Sequence, residues 1–228
     1  MTDLPLMKHK DVLAETLELE DKRVLDIGCG NGSLVRFMAH QGAEAVGLEP
    51  SQERLAACEA SKWVPGTDYV EGSGENLPFE DGSFDAVVIF NSLHHLPAKG
   101  MAPCLEECAR VLAAEGQLWV LEPIAEGPYF EVMRPVEDET EVRAQAYEAL
   151  QNADPRLQLI EEQVYASPSR YDSFEAWTKE IIEVDPSRAK MLEKVRDRVA
   201  ALFEKNADKR ADGHHFAQPS RLMRFRRV

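Results

Sequence analysis

Short apolar runs alternate with amphipathic stretches over the first 123 residues of this sequence. The run at residues 84–90 is the most apolar, as expected for a strand buried on both faces of a sheet. The predicted strands cover residues 24–27, 43–48, 68–71, 84–90 and 118–121, and the predicted helices cover residues 8–17, 52–61 and 101–112, with another helix from residue 34. Strands that alternate with helices at this interval predict a doubly wound α/β fold with a mainly parallel sheet.

The alternation ends after Pro123. Residues 137–152 have the pattern of one helix, and residues 173–209 read as helical and strongly charged. Residues 157–166 and 214–228 read as two late strands, which bring the sheet to seven strands. We expect the late strands to form an antiparallel C-terminal edge. The helical segments at residues 124–157 and 168–213 are then predicted to cap the ligand-binding edge of a single domain spanning residues 1–228.

Acidic side chains outnumber basic ones by 41 to 26, which gives the 228-residue chain a formal net charge of −15. A surface of this sign repels phosphate backbones, so nucleic acid is not an expected partner. The concentrated basic stretch at the C-terminus alternates with apolar residues, as in a strand whose arginines face solvent. Its arginines are Arg221, Arg224, Arg226 and Arg227.

Residues 1–10 have neither the apolar core nor the cleavage site of a secretory signal. No apolar run approaches the roughly 18 residues that a membrane helix requires, so we expect no membrane partner and a cytoplasmic location. The four cysteines form no Cys-x-x-Cys pair, which indicates neither a disulfide framework nor a zinc site, and no metal is expected. They are Cys29, Cys58, Cys104 and Cys108.

Candidate chemistry begins at residues 24–32, which read VLDIGCGNG. A buried strand ends here, and glycines at positions 28, 30 and 32 precede a helix. Glycine permits the sharp turn and positive φ angles of such a loop, and it has no Cβ to obstruct a ligand. The helix that follows offers unpaired N–H groups and a partial positive charge at its first turn. This strand–turn–helix unit predicts a small-molecule site.

Five stretches resemble motifs of the class I S-adenosylmethionine-dependent methyltransferases. Residues 24–32 are similar to the family's first motif, V-L-D-[IVL]-G-C-G-x-G. Residues 72–79, GSGENLPF, resemble G-D-A-E-x-L-P-F, and residues 81–88, DGSFDAVV, resemble D-x-S-F-D-x-V. Residues 92–96, SLHHL, resemble S-x-H-H-L, and residues 110–112 match R-V-L. The motifs follow the family's order over about residues 23–123, and the resemblance is weak beyond that point.

The resemblance implies methyl transfer from S-adenosylmethionine to a small-molecule acceptor, with S-adenosylhomocysteine as product. It implies that Asp26 supports the glycine loop and the methionine end of the cofactor, and that Asn91 lies beside the sulfonium or the carboxyl end. The glycines of the loop lie against the ribose and methionine portions. The implied cofactor-binding residues are Asp26, Gly28, Cys29, Gly30, Asn31, Gly32, Glu49, Pro50, Ser73, Gly74, Glu75 and Asn91.

Glu49 ends the second predicted strand, 17 residues after Gly32. An acidic side chain there can accept hydrogen bonds from both ribose hydroxyls, each worth roughly 1.5–3 kcal/mol. Ribose binding is compatible with NAD or with S-adenosylmethionine. The spacing Gly-x-Gly-x-Gly differs from the dinucleotide fingerprint Gly-x-Gly-x-x-Gly and favours S-adenosylmethionine.

Candidate catalytic residues follow the fourth and fifth strands. His94 and His95 lie at the edge of the sheet where the ligand is predicted to bind, and either is a candidate for the base that deprotonates the acceptor. The alternative is that one histidine caps a turn and the other packs. Glu122 ends a central strand and is a candidate to polarise the acceptor or to act through another residue. The sequence leaves open whether a further set of residues contacts the acceptor or packs in the core. These residues are Tyr129, Phe130, Met133, Arg134, Tyr147, Tyr165, Arg170, Tyr171 and Trp177.

The chain departs from the family pattern at three places. Ser73 replaces an aspartate that usually bonds the adenine amino group, Gly74 replaces an alanine, and residues 113–116, AAEG, replace a K-P-G-G turn. Ser73 and the lack of a clear catalytic base leave open a non-catalytic S-adenosylmethionine-binding or regulatory protein. A nicotinamide-dependent oxidoreductase is a third alternative, which the glycine spacing and residues 75–79 disfavour.

Overall fold

The computed structural model describes residues 4–61 and 63–228, so the start of the N-terminal prediction, residues 1–3, lies outside the described residues. The strands are β1 (Arg23–Ile27), β2 (Glu44–Glu49), β3 (Thr67–Glu71), β4 (Phe84–Phe90), β5 (Leu112–Pro123), β6 (Leu157–Tyr171), β7 (Asp208–Arg210) and β8 (Gly213–Arg227). The helices are α1 (His9–Thr16), α2 (Ser33–His40), α3 (Gln52–Ala60), α4 (Ala98–Val111), α5 (Gly127–Met133), α6 (Thr140–Gln151), α7 (Phe174–Val184) and α8 (Arg188–Asn206). A 3₁₀ turn covers Leu93–His95.

The strands form one sheet in the order β3-β2-β1-β4-β5-β8-β6, and the short β7 pairs with β8. The first five strands pair in parallel, and the C-terminal edge is antiparallel, which confirms the predicted fold class. Ile27 stands opposite both Leu48 and Ile89. The carboxyl ends of β1, β2 and β4 are therefore level, and the polar residues that follow these strands meet at one edge.

The chain forms two compact units. The larger unit comprises His9–Glu122, Ala144–Gln163 and Arg221–Val228, and the smaller unit comprises Pro123–Arg143, Val164–Ser220 and the residues up to Lys8. In the larger unit, apolar residues of β1, β4 and β5 pack with one face of α4, including the predicted stripe Met101, Leu105 and Cys108. The predicted single domain with cap segments stays a prediction.

An aromatic cluster forms the core of the smaller unit. Trp177 of α7 is fully buried, with its ring centroid 5.6 Å from Phe174 and 5.9 Å from Phe203. The Phe203 ring of α8 also lies 5.0 Å from Phe216 of β8. Aromatic pairs at these separations stabilise a core beyond the area that they bury.

Several predicted elements after Pro123 were wrong in number or extent. The residues predicted as helical, 173–209, form the two helices α7 and α8, and their last two residues belong to β7. The helices are separated at Pro186, because proline lacks an N–H and disfavours helical backbone in the residue before it. The short helix α5 and the strand β7 were not predicted, and both late strands are longer or shifted, with 15 residues each. The strand β7 and the two-turn helix α5 are too short to show a recognisable hydrophobic periodicity in the sequence.

The junction between α4 and β5 also differs from its prediction. The predicted helix 101–112 begins earlier, at Ala98, and the predicted strand 118–121 is the central part of the longer β5. Leu112 pairs with Phe84, and Gln117 pairs with Ala86, so residues 113–116 bulge out of the ladder between these pairs. Residues 113–116 are thus an irregular part of a strand rather than a separate turn.

All four cysteines are free and buried. None of the helices in the described part of the chain is long and apolar enough to cross a membrane.

Candidate cofactor and active site

The glycine loop connects β1 to α2 with positive φ angles at Gly28, Gly30 and Gly32. A Cβ on Gly28 would lie 2.7 Å from the Cβ of Ser92, so a larger residue does not fit there. A Cβ on Gly30 would meet no described heavy atom within 4 Å. The loop is closed by packing at Gly28, and it borders open space at Gly30, as a ligand-binding loop requires.

Glu49 is the residue that ties this loop to β2. Its side chain is only 3% exposed. Its Oε2 accepts a hydrogen bond from the backbone N–H of Gly30 at 2.9 Å, and its Oε1 accepts one from Ser51 at 3.1 Å. An ionised carboxylate has about four acceptor positions. Two acceptor positions therefore remain for a ligand, in a carboxylate whose orientation is already fixed.

Asp26, at the carboxyl side of β1, is a second buried carboxyl group, 2% exposed. Burial and the negative charge of Glu49 raise the pKa of the Asp26 carboxyl to about 7. The thiol of Cys58 on α3 donates to the carbonyl of Gly30 at 3.2 Å. Burial raises the pKa of both Cys29 and Cys58, which keeps these thiols neutral beside the two carboxyl groups.

Asn91 follows β4 in a left-handed conformation, with φ 51°, which is unusual for a residue other than glycine. Its backbone N–H donates to Leu121 at 2.8 Å. Its side-chain Oδ1 is buried and has no hydrogen-bond partner within residues 4–61 and 63–228. Buried polar atoms are nearly always paired, so this acceptor indicates a place for a ligand donor.

The loop at residues 72–79 is the third part of the predicted cofactor site. The Ser73 hydroxyl donates to Oε2 of Glu75 at 2.7 Å, so this hydroxyl proton is already used. At Gly74, a Cβ would lie 2.9 Å from Sγ of Cys104 and 3.1 Å from Cγ2 of Ile27. The departure from the family's alanine therefore has a packing cause, because the Cys104 thiol approaches the space that the methyl group would need.

Arg110 holds the same loop in place, a role that sequence reasoning missed although it quoted the R-V-L motif. Its guanidinium donates to the carbonyls of Leu77 at 3.0 Å and Phe79 at 2.8 Å, and to the carboxylate of Asp81 at 2.8 Å. Glu107, three residues earlier on α4, bonds Arg110 and accepts the N–H of Leu77 at 2.8 Å. The arginine three residues after an acidic residue was the sequence signal for this network.

His94 and Glu122 form a buried pair. Nδ1 of His94 bonds Oε2 of Glu122, whose Oε1 accepts the backbone N–H of Ser92 at 3.1 Å and of Leu93 at 2.9 Å. Both oxygens of Glu122 are therefore engaged, so its carboxylate orients His94. His95 is exposed, and its ring lies beside that of His94 with 4.1 Å between the centroids and 45° between the ring planes. The bond with Glu122 fixes the ring of His94, whereas nothing in the sequence favours either histidine as the base.

Ser92 connects the turn after β4 to the end of β1 and the glycine loop. Its hydroxyl donates to the carbonyl of Ile27 at 2.6 Å, and its Cβ packs on Gly28. Sequence reasoning quoted Ser92 only as part of a motif. Asn31 and Pro50, also predicted in the cofactor set, are exposed, and Oδ1 of Asn31 accepts the N–H of Ser33 at 3.1 Å.

The aromatic and basic candidates after Pro123 are engaged within the protein. Phe130, Met133, Tyr165, Tyr171 and Trp177 are buried. Arg134 pairs with Glu131, Arg170 with Asp172, and Tyr147 lies under the guanidinium of Arg221; Tyr129 stacks on Tyr171. These contacts favour core packing over acceptor binding for this set.

Comparisons with known proteins agree with this geometry. Residues 25–120 match a family described as "Methyltransferase domain". The phthiotriol/phenolphthiotriol dimycocerosates methyltransferase of Mycobacterium tuberculosis is 31% identical over 174 residues, which cover 74% of this chain and 58% of that protein. The fatty-acid O-methyltransferase of Mycolicibacterium smegmatis is 34% identical over 105 residues, 45% of this chain and 38% of that protein. The chain thus spans about half the length of the curated relatives it matches.

The solved structure of a Bacillus halodurans protein that is named "putative methyltransferase" has the same fold. It superposes with a TM-score of 0.66 at 21% sequence identity and covers 96% of this chain and 98% of that chain.

Proposed function

We propose that the chain transfers a methyl group from S-adenosylmethionine to a hydroxyl oxygen of a small apolar acceptor, as a member of the class I S-adenosylmethionine-dependent methyltransferases. The observation that carries this proposal is the buried Glu49 carboxylate, fixed by the N–H of Gly30 at the glycine loop with acceptor positions left for a ribose.

Three features of the site fit the cofactor. The remaining acceptor positions of Glu49 suit the two ribose hydroxyls, which are donors. The open space at Gly30 admits the ribose and methionine portions, and the unpaired Oδ1 of Asn91 suits the α-ammonium. Ser73 and Glu75 offer acceptors to the adenine amino group. When bound, S-adenosylmethionine supplies an electrophilic methyl group on a cationic sulfur.

The chain's own contribution to the chemistry is a positioned base. A hydroxyl acceptor must lose its proton during methyl transfer, and a histidine in reach contributes roughly 10²–10⁴-fold by taking it. Glu122 accepts from His94 at Nδ1, fixes the ring and stabilises the imidazolium that forms when Nε2 takes a proton. Methyl transfer also requires that the acceptor is aligned with the methyl group and that water is excluded. The site as a whole meets these two requirements.

The acceptor class is supported by the names of two relatives and by the base. One relative is named for a triol lipid and the other for fatty acids. A fatty-acid carboxylate is already ionised at neutral pH and needs no base, whereas an alcohol or a phenol does. The buried His94–Glu122 pair therefore favours a hydroxyl-bearing apolar acceptor.

Calorimetric titration of the purified protein with S-adenosylhomocysteine, with NAD and NADP in parallel, tests the cofactor. Micromolar binding of S-adenosylhomocysteine alone is the expected result. Binding of a nicotinamide nucleotide instead would contradict the proposal and favour the oxidoreductase alternative.

Turnover of long-chain alcohols, alkylphenols and fatty acids tests the acceptor, with product detected by mass spectrometry. We expect methyl ethers, and we expect His94→Ala to lower their rate of formation by roughly 10²–10⁴-fold. His40→Ala, at an exposed histidine of α2, is the matched control and should retain the rate. Methyl esters formed equally by wild type and His94→Ala would contradict the hydroxyl acceptor. Cofactor binding without product from any acceptor class would favour the non-catalytic alternative.

A further inference from the structure

We propose that the carboxyl pair of Asp26 and Glu49 exchanges a proton for the sulfonium charge, so that S-adenosylmethionine binding releases a proton and S-adenosylhomocysteine binding releases less. This inference rests on the proposed function, since it concerns the same cofactor site.

The pair is two carboxyl groups on adjacent parallel strands. Asp26 lies on β1 and Glu49 ends β2, and both are at least 97% buried. The Glu49 carboxylate accepts two backbone N–H hydrogen bonds, from Gly30 and from Ser51. Burial and the negative charge of Glu49 both disfavour a charge on Asp26, so Asp26 is the member of the pair that holds a proton.

The groups that face Asp26 either disfavour its ionised form or are neutral. Burial and the charge of Glu49 both raise its pKa, to about 7. From the loop and from α3, Cys29 and Cys58 present thiols that burial keeps neutral, and the charge of Arg36 acts on Cys58. Near neutral pH, Asp26 therefore exchanges between its protonated and ionised forms before any ligand binds.

A cation brought to this pair favours the ionised form of Asp26 and displaces its proton. S-adenosylmethionine carries a sulfonium charge, which its product has lost after methyl transfer. Both ligands share the α-ammonium and the α-carboxylate. The difference in proton release between the two ligands therefore reports the sulfonium alone.

A preference for the methyl donor over the product follows from this exchange, and it changes with pH. Below pH 6, Asp26 is protonated in the free protein, and the donor must displace that proton to gain the full charge interaction. Above pH 8, Asp26 is already ionised, and the gain is available without proton release. The ratio of donor affinity to product affinity is thus expected to rise by several-fold between pH 6 and pH 8.

Calorimetry in buffers of different ionisation enthalpy, phosphate and Tris at pH 7, measures the protons released. The slope of binding enthalpy against buffer ionisation enthalpy should show proton release when S-adenosylmethionine binds and a smaller release when S-adenosylhomocysteine binds. Asp26→Asn, of nearly the same shape, should abolish the difference. Asp68→Asn, at an exposed aspartate on β3 of the same sheet, is the matched control and should retain it.

The outcomes separate this inference from the proposed function. Equal proton release by the two ligands, or none by either while both bind, overturns the inference and leaves the proposed function standing. Binding of neither ligand overturns both. If Asp26→Asn does not fold, the wild-type affinity ratio at pH 6, 7 and 8 gives the same test, and a ratio that does not change with pH counts against the inference.

Discussion

At the ends of β1, β2, β4 and β5, polar side chains bond to the backbone of neighbouring loops, whereas in the smaller unit aromatic rings pack on one another. Glu49 bonds Gly30 and Ser51, and Glu122 bonds Ser92 and Leu93. In the aromatic cluster the ring contacts dominate, and the hydroxyl of Tyr171 at its side donates to Glu180 at 3.0 Å. The comparison suggests that the first region is built for ligand binding and the second for stability.

Trp177→Ala tests the stability half of the comparison and has the largest expected effect. The ring is fully buried among Phe174 and Phe203, so its removal should lower the free energy of unfolding by about 3–5 kcal/mol. Urea denaturation measures this change. Trp63→Ala, at a side chain that is 73% exposed, is the matched control and should change stability by about 0.5 kcal/mol or less.

The folded fraction of Trp177→Ala should bind S-adenosylhomocysteine with unchanged affinity, because every proposed cofactor residue belongs to the larger unit. A weakened dissociation constant in protein that is still folded would break the comparison.

Glu49→Ala tests the binding half. The change removes both proposed ribose contacts, so S-adenosylhomocysteine should bind more weakly by about 2–4 kcal/mol. Titration calorimetry measures the loss. Glu71, which ends β3 opposite Glu49, bonds only Gln52 through its side chain among the described residues, and Glu71→Ala should retain wild-type affinity. Equal affinities of wild type and Glu49→Ala would remove Glu49 from the site.

Gly74→Ala restores the family's residue and should nevertheless destabilise this chain by about 1–3 kcal/mol, because the new methyl group meets the Cys104 thiol. Cys104→Ala removes that thiol, so the double variant should be more stable than the sum of the single effects predicts. Denaturation of all four proteins measures the coupling. Strictly additive effects would mean that Cys104 is not the reason for the glycine.

Glu115→Gly has the smallest expected effect and should stabilise the chain by about 0.5–1 kcal/mol. Glu115 has a φ of 63°, which is costly for a residue with a Cβ, and the family's turn has a glycine there. The substitution also removes the ion pair of Glu115 with Arg226, at 3.5 Å, which is exposed and contributes little to stability. Glu115→Ala loses the same pair and keeps the Cβ, so it should show no gain. A gain in thermal stability by both variants would point to the charge rather than the backbone.

The parts of the fold that the sequence predicted well are those with a local cause. The bounds of β4 were predicted without error, because Phe84–Phe90 is an apolar run, interrupted only by Asp85, that a turn precedes. The predicted start of the helix at residue 52 was also correct, and the hydroxyl of Ser51 caps α3 by accepting the N–H of Arg54. The break before α8 had a signal as well, since Pro186 follows Asp185, and the charged pattern on both sides concealed it.

The site was predictable in its members but not in its hydrogen bonds. Glu49 and Glu122 were both identified as strand-end carboxylates, and parallel strands place such residues at one edge. The bond from Glu122 to His94, rather than to His95, depends on how the 3₁₀ turn after β4 directs each ring. That direction is a property of the folded backbone. The contact of Gly74 with Cys104 likewise joins two elements that no local pattern relates.

The path of the chain between the two units restricts how such a protein can be altered. The chain passes from one unit to the other five times, and β6 and β8 each continue from one unit into the other. Neither unit therefore corresponds to one uninterrupted stretch of codons, and no single cut or fusion point separates them. Exchange of whole segments between relatives would interrupt both units at once. Divergence of function in this architecture is consequently expected to proceed by individual substitutions rather than by recombination of modules.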